Sequence, residues 1–156
     1  RDIDRSRWLG DVYKRQLLRL RIIVVEHQDN MNTLSLDKKS WLKSRKYILE
    51  ALKRGIDSHS EKDVFYAIAR GDAQLWTGQK SACVTEIVTY PNFKSIRFWL
   101  AGGDLEELKE MEQPICEWAK SIGCKNAQII GRKGWSRIKD KDRAYEEVGT
   151  ISMRSI

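Results

Sequence analysis

The sequence predicts an α+β fold (mixed α/β in its alternation): a mixed, mostly antiparallel sheet with helices on both faces, in the order ααβββαβαβ. Three observations carry that expectation. Apolar residues recur at helical spacing as far as Gly71 and at alternate positions beyond it. Three alternating segments then succeed one another through the short connections Thr77 to Lys80 and Pro91 to Lys94. Such connections make neighbouring strands antiparallel, because parallel strands need a crossover of a dozen or more residues. Finally, Gly102-Gly103 leads into a long amphipathic stretch that returns to another alternating segment, so helices are needed to cover the sheet.

Residues 1–16 have neither strand nor helix period and no signal-peptide core. The hexapeptide Asp11-Val12-Tyr13-Lys14-Arg15-Gln16 resembles the translation of a transposase-based sequencing adapter, and Ser6 to Gly10 resembles the adjoining adapter segment. The alternative is a basic tail. Residues 1–30 are accordingly read as adapter translation and read-through rather than a domain, with residues 31–156 as a single domain starting at Met31. The run Ile22 to Val25 within the set-aside stretch could nonetheless form a short strand.

From Asp37, a helix cap, the first helix is expected over Lys38 to Arg54, with Trp41, Leu42, Ile48, Leu49 and Leu52 on one face and Gly55 ending it. Ser60 followed by Asp63 marks the second helix, which buries Val64, Phe65, Ile68 and Ala69 and stops at Gly71. Ala73 to Trp76, Ala82 to Tyr90 and Ser95 to Ala101 read as the three meander strands. In the last of them Ile96, Phe98 and Leu100 share one face and Arg97 and Trp99 the other.

Asp104 caps the third helix, whose stripe is Leu105, Leu108, Met111, Ile115, Trp118, Ala119 and Ile122. Pro114 predicts a kink or break near Gln113, and Gly123 ends the helix. A short strand Ala127 to Ile130, the basic segment Gly131 to Trp135, a half-helix to about Lys139 and a last strand within Tyr145 to Met153 complete the order.

Composition excludes several classes of function. With 41% hydrophobic and 33% charged residues the chain is neither disordered nor low-complexity. No apolar run approaches the roughly 18 residues of a membrane span. The three cysteines, Cys83, Cys116 and Cys124, form no CxxC pair and suit reduced thiols in a cytoplasmic setting. Two of the seven surplus positive charges lie in residues 1–30, and the remainder alternate with acidic residues. Nucleic acid is therefore not an expected partner, and neither is a membrane. His59 lies in a polar loop and no metal-ligand cluster is legible.

The element order across residues 36–153 is similar to the core of the GNAT (Gcn5-related N-acetyltransferase) superfamily. The phrases Gln74-Leu75-Trp76-x-Gly78, Thr85-Glu86-Ile87-x-x-Tyr90-Pro91, Leu100-Ala101-Gly102-Gly103 and Gly131-Arg132-x-Gly134-Trp135 look like a group of short GNAT-like proteins of tailed phages and prophages. The resemblance implies acetyl-CoA as cofactor and transfer of its acetyl group to a small-molecule or protein amine. It places thioester and pyrophosphate against Leu100, Ala101, Gly102 and Gly103, where family members carry a glycine-rich loop at a helix start. Here that loop is degenerate: Asp104, Glu106 and Glu107 stand where phosphates would sit, and acidic residues there stabilise the helix while repelling an anion.

Under this resemblance Glu86 is the candidate base, a carboxylate in an otherwise apolar strand, its alternative being a solvent-facing or edge residue. Tyr145 is the candidate acid, its alternative being the opening residue of the last strand. Arg132, Lys133 and Arg137 around Trp135 form either a phosphate-holding helix start or a solvated cap. Cys116 and Cys124 read as packing residues rather than nucleophiles. The rival expectation is a non-catalytic virion or virion-assembly protein that keeps the fold and contacts other phage virion proteins.

Overall fold

The computed structural model describes residues 21–23, 38–131, 145–149 and 154. Within them the chain forms β1 (Arg21–Ile23), α1 (Lys38–Lys53), α2 (Glu61–Ala69), β2 (Ala73–Thr77), β3 (Ser81–Thr89), β4 (Lys94–Gly103), α3 (Leu105–Ser121) and β5 (Cys124–Ile129). The five strands lie in sequence order in one sheet. β1 to β4 pair antiparallel, and β5 pairs parallel to β4 after the α3 crossover. The α+β class, the mixed sheet and the antiparallel meander are therefore as the sequence predicts.

The order differs at the N-terminal end, and at the C-terminal end most of the expected elements lie outside the described residues. Arg21–Ile23, inside the stretch set aside as read-through, forms an edge strand against Leu75, Trp76 and Thr77. Residues 145–149, expected to open the last strand, are irregular. The Asp37 cap, the half-helix with Arg132, Lys133, Trp135 and Arg137, and residues 150–153 lie outside the described residues.

Helices cover both faces of the sheet. On one face Trp41 and Ile48 of α1 and Val64 and Ile68 of α2 pack with Ala73, Leu75, Ala82, Val84 and Leu100. On the other, Met111, Ile115 and Ala119 of α3 pack with Trp76, Cys83, Ile96 and Cys124. Burying these two apolar layers is the main favourable contribution to folding. Three expected core residues fall outside it: Leu42 is 60% exposed, Leu105 44% and Ile122 41%. Leu42 sits one position past the α1 stripe, which instead buries Ser40, Trp41, Ser44 and Ile48. The Ser44 hydroxyl of that stripe is satisfied, since it hydrogen-bonds the Thr77 hydroxyl at 2.9 Å and ties α1 to β2.

α2 begins with a complete capping box: the Ser60 hydroxyl accepts from the Asp63 N–H while the Asp63 carboxylate accepts from Ser60 N–H at 2.7 Å. α3 begins at Asp104, whose carboxylate accepts from the Glu107 N–H at 3.0 Å. Pro114 does not break α3, which runs continuously through it. Proline removes one backbone donor, but its ring is buried here beside Ile115, and that apolar burial offsets part of the loss.

The expectation that Ile96, Phe98 and Leu100 share a face is overturned by a bulge. Phe98 pairs with Thr85 and Leu100 with Val84, so Trp99 is an extra residue with no partner on β3. Alternation reverses across it: Ile96 and Phe98 pack towards α3, whereas Leu100 joins the α1 and α2 layer. Strict period-2 reading cannot register an inserted residue.

Candidate active site

β4 is held by β3 along its whole length, from Thr89↔Lys94 to Ser81↔Gly103. Its pairing with β5 ends at Phe98↔Ile129. From Trp99 to Gly103 the strand therefore runs on past the end of β5 at Ile129, with an edge that β5 does not pair. A cavity of about 1260 Å³ is lined by this segment and reaches both faces of the sheet. That volume lies slightly above the range usual for small-molecule and cofactor sites. Its floor is the Phe98 to Gly103 segment; Glu86, Arg97 and His59 line the α1 and α2 side, and Glu112, Met111 and Tyr145 the α3 side.

The structure thus brings every candidate residue, Glu86, Tyr145, Leu100, Ala101, Gly102 and Gly103, to one cavity, but gives several of them surroundings other than those expected. Glu86 is not an isolated carboxylate among apolar neighbours. Its Oε1 accepts from Arg97 Nη1 at 2.9 Å across the β3–β4 ladder, and both side chains are about one-third exposed or less. The pair lies directly opposite in register, Glu86↔Arg97, so the two charges are neighbours by construction of the hairpin.

Tyr145 is not part of a strand. Its hydroxyl donates to Glu112 Oε1 of α3 at 2.6 Å. Burial raises its pKa, and the Glu112 hydrogen bond and charge raise it further, so the phenol stays protonated well above the ordinary tyrosine range. Cys83, on the same side, is pushed up chiefly by burial and remains a thiol, and Cys124 shifts in the same direction for the same reason. Neither is a thiolate nucleophile.

The two glycines of the junction have structural duties. A Cβ on Gly102 would come within 2.2 Å of the Tyr47 carbonyl oxygen, because the α1 backbone lies directly on the strand there. Gly103 has φ +116°, and a Cβ would meet the Lys80 carbonyl oxygen at 2.3 Å. The helix start beyond them is also spent: Asp104 occupies the α3 cap, and Glu107 turns back to the β2–β3 connection. There its carboxylate accepts from the N–H groups of Gln79 at 2.6 Å and Lys80 at 2.8 Å. Burial alone would raise the Glu107 pKa, but the Ser81 hydroxyl and these two N–H donors outweigh it and hold the group below its usual value. A phosphate at the α3 N-terminus would meet these carboxylates, whereas the β4 edge beyond Phe98, unpaired among the described residues, has the geometry to pair with an extended amide-bearing chain.

Sequence reasoning did not find Arg97, Glu112 or the Trp99 bulge. The Arg97 partnership was readable in principle. Counting outward from the Pro91-Asn92 turn places residue 97 against residue 86. The Glu112–Tyr145 bond links residues 33 apart and carries no local signal.

No family model and no curated protein sequence matches the chain. Among solved structures, the fold is similar to that of TTHA1254 from Thermus thermophilus, with a TM-score of 0.54 and 12% sequence identity over 74% of this chain and 92% of that one. At that identity the likeness bears on the fold alone. No helix among the described residues is long and apolar enough to cross a membrane.

Proposed function

We propose that the protein is a GNAT-type N-acyltransferase with a divergent cofactor loop, taking an acetyl group from acetyl-CoA to an amine. The observation that supports this reading best is the end of β4–β5 pairing at Phe98↔Ile129 while β4 continues to Gly103, with a cavity lined by that continuation. Bound acetyl-CoA would supply the acyl group as a thioester. The N–H and C=O groups between Trp99 and Gly103 that face the cavity hold an extended amide chain by strand-like hydrogen bonds and orient the carbonyl to be attacked. Glu86, on the opposite side of the floor from Tyr145, receives the proton released by the amine, directly or through water. Tyr145 keeps its proton and, by rotating its O–H away from Glu112, offers it as a hydrogen bond where thiolate charge develops. With Asp104 and Glu107 at the α3 start, the pyrophosphate must lie away from that helix end.

Titration with acetyl-CoA, followed by thermal unfolding, tests this directly. The melting temperature should rise with ligand concentration. An unchanged melting temperature at millimolar acetyl-CoA would overturn the enzyme reading and favour a non-catalytic role in virion assembly.

A further inference from the structure

The Glu86–Arg97 pair stands out among the charged groups of the cavity because it is incompletely satisfied. Arg97 Nη1 donates to Glu86 at 2.9 Å, yet Arg97 Nε is buried and has no hydrogen-bond partner. A guanidinium presents five N–H donors in a planar fork suited to two-point binding of a carboxylate, and a buried donor left without a partner is costly. Arg70 at the same rim already has a carboxylate of its own, Asp72 at 2.9 Å. Arg97 has instead one shared contact and a buried, orphaned Nε, while the rest of its partly exposed side chain lines a cavity of about 1260 Å³.

Glu86 and Arg97 together form an acid and a base of opposite charge in contact. Their complement is a molecule that carries an ammonium and a carboxylate on one carbon. A free α-amino acid can replace the single internal ion pair with two: its carboxylate on the Arg97 fork and its ammonium on Glu86. The same placement puts the α-nitrogen beside the group that must take its proton. Building on the acyltransferase reading, we infer that the acceptor is a free α-amino acid, recognised by its carboxylate at Arg97 and acylated at its α-amino group. In the reaction the C–N bond forms and the thioester C–S bond breaks. Of the two protons the α-ammonium loses, one leaves through Glu86 to solvent and the other ends on the CoA thiol.

The test measures CoA thiol release from acetyl-CoA with a panel of free L-amino acids, the corresponding amino-acid amides and simple alkylamines. At least one free amino acid should exceed its amide by tenfold or more in kcat/KM, since a site built to bind a polar group rejects the analogue that lacks it. Arg97→Gln should erase that preference by raising KM for the free acid, and Arg97→Lys should restore part of it; the amide, whose proton also passes through Glu86, should change in kcat with little change in KM. Acetyl-CoA binding and the melting temperature of each variant, read alongside, separate loss of recognition from loss of fold. Equal rates for acids and amides, or an acid preference that survives Arg97→Gln, overturn the inference while leaving the acyltransferase intact. Failure of the wild-type protein to bind acetyl-CoA instead removes the reading beneath it.

Discussion

Tyr145 donates its hydroxyl hydrogen to Glu112 in a partly buried site, and this single contact sets what the phenol can do. Its pKa is raised by burial first and by the Glu112 bond second, so its native state favours the neutral form. The corresponding stability is fully present below the ordinary phenol value of about 10 and is lost only as pH rises towards the higher native value. A rate profile should consequently show no alkaline loss from this group below about pH 10. Tyr145→Phe should lower kcat by about 10²-fold, the lower end of what a positioned proton donor contributes. It should leave the thermal shift by acetyl-CoA in place. A variant with wild-type kcat would remove Tyr145 from the chemistry.

At the scale of elements, the contact between α1 and β4 is so close that it admits no side chain. The Tyr47 carbonyl sits where a Gly102 Cβ would be, so Gly102→Ala should destabilise the fold by about 3 kcal/mol, the upper end of ordinary overpacking costs. A melting temperature indistinguishable from wild type would show that α1 can shift freely. Glu107 binds the β2–β3 connection as an anion, with its pKa held below the unfolded value of about 4.3. The stability it confers is therefore present above that value and lost as pH falls through the native one. Glu107→Gln should melt below wild type near neutral pH, and the gap should narrow as pH falls from about 5 to about 3. A gap that stayed constant with pH would mean that its charge is irrelevant there.

These elements also mark what the sequence reveals. The capping residues Ser60 and Asp104, the meander and the helix spans were legible because each depends on residues a few positions apart. The Gly102-Gly103 pair was legible as a break but not as a packing contact, since the partner, Tyr47, is remote in sequence. Glu86 stood out as a carboxylate within its own apolar strand and the Leu100 to Gly103 segment through the family resemblance, whereas Arg97 and Glu112 line the cavity through strand register and tertiary packing.

At the scale of the molecule, two apolar layers of the described residues lie on opposite faces of a sheet whose strands belong to both, and the cavity is lined by the part of β4 that runs on past the end of β5. A ligand seated there touches residues of both layers, so it should stabilise the domain as one unit. At a concentration of about one hundred times its dissociation constant, acetyl-CoA should add about 2.7 kcal/mol to the unfolding free energy in a single cooperative transition. Two separated transitions in its presence would show that the layers unfold independently. The extra residue at Trp99 governs this arrangement through parity. Before it, even-numbered β4 residues face α3; after it, even-numbered residues face α1, and Gly102 falls where the helix backbone demands a glycine. Leu100 and Ala101 therefore tolerate side-chain exchange far better than the stretch from Leu100 to Gly102 tolerates a change in length. One residue added between Leu100 and Ala101 would turn the bare glycine away from α1 and set Ala101 against the Tyr47 carbonyl.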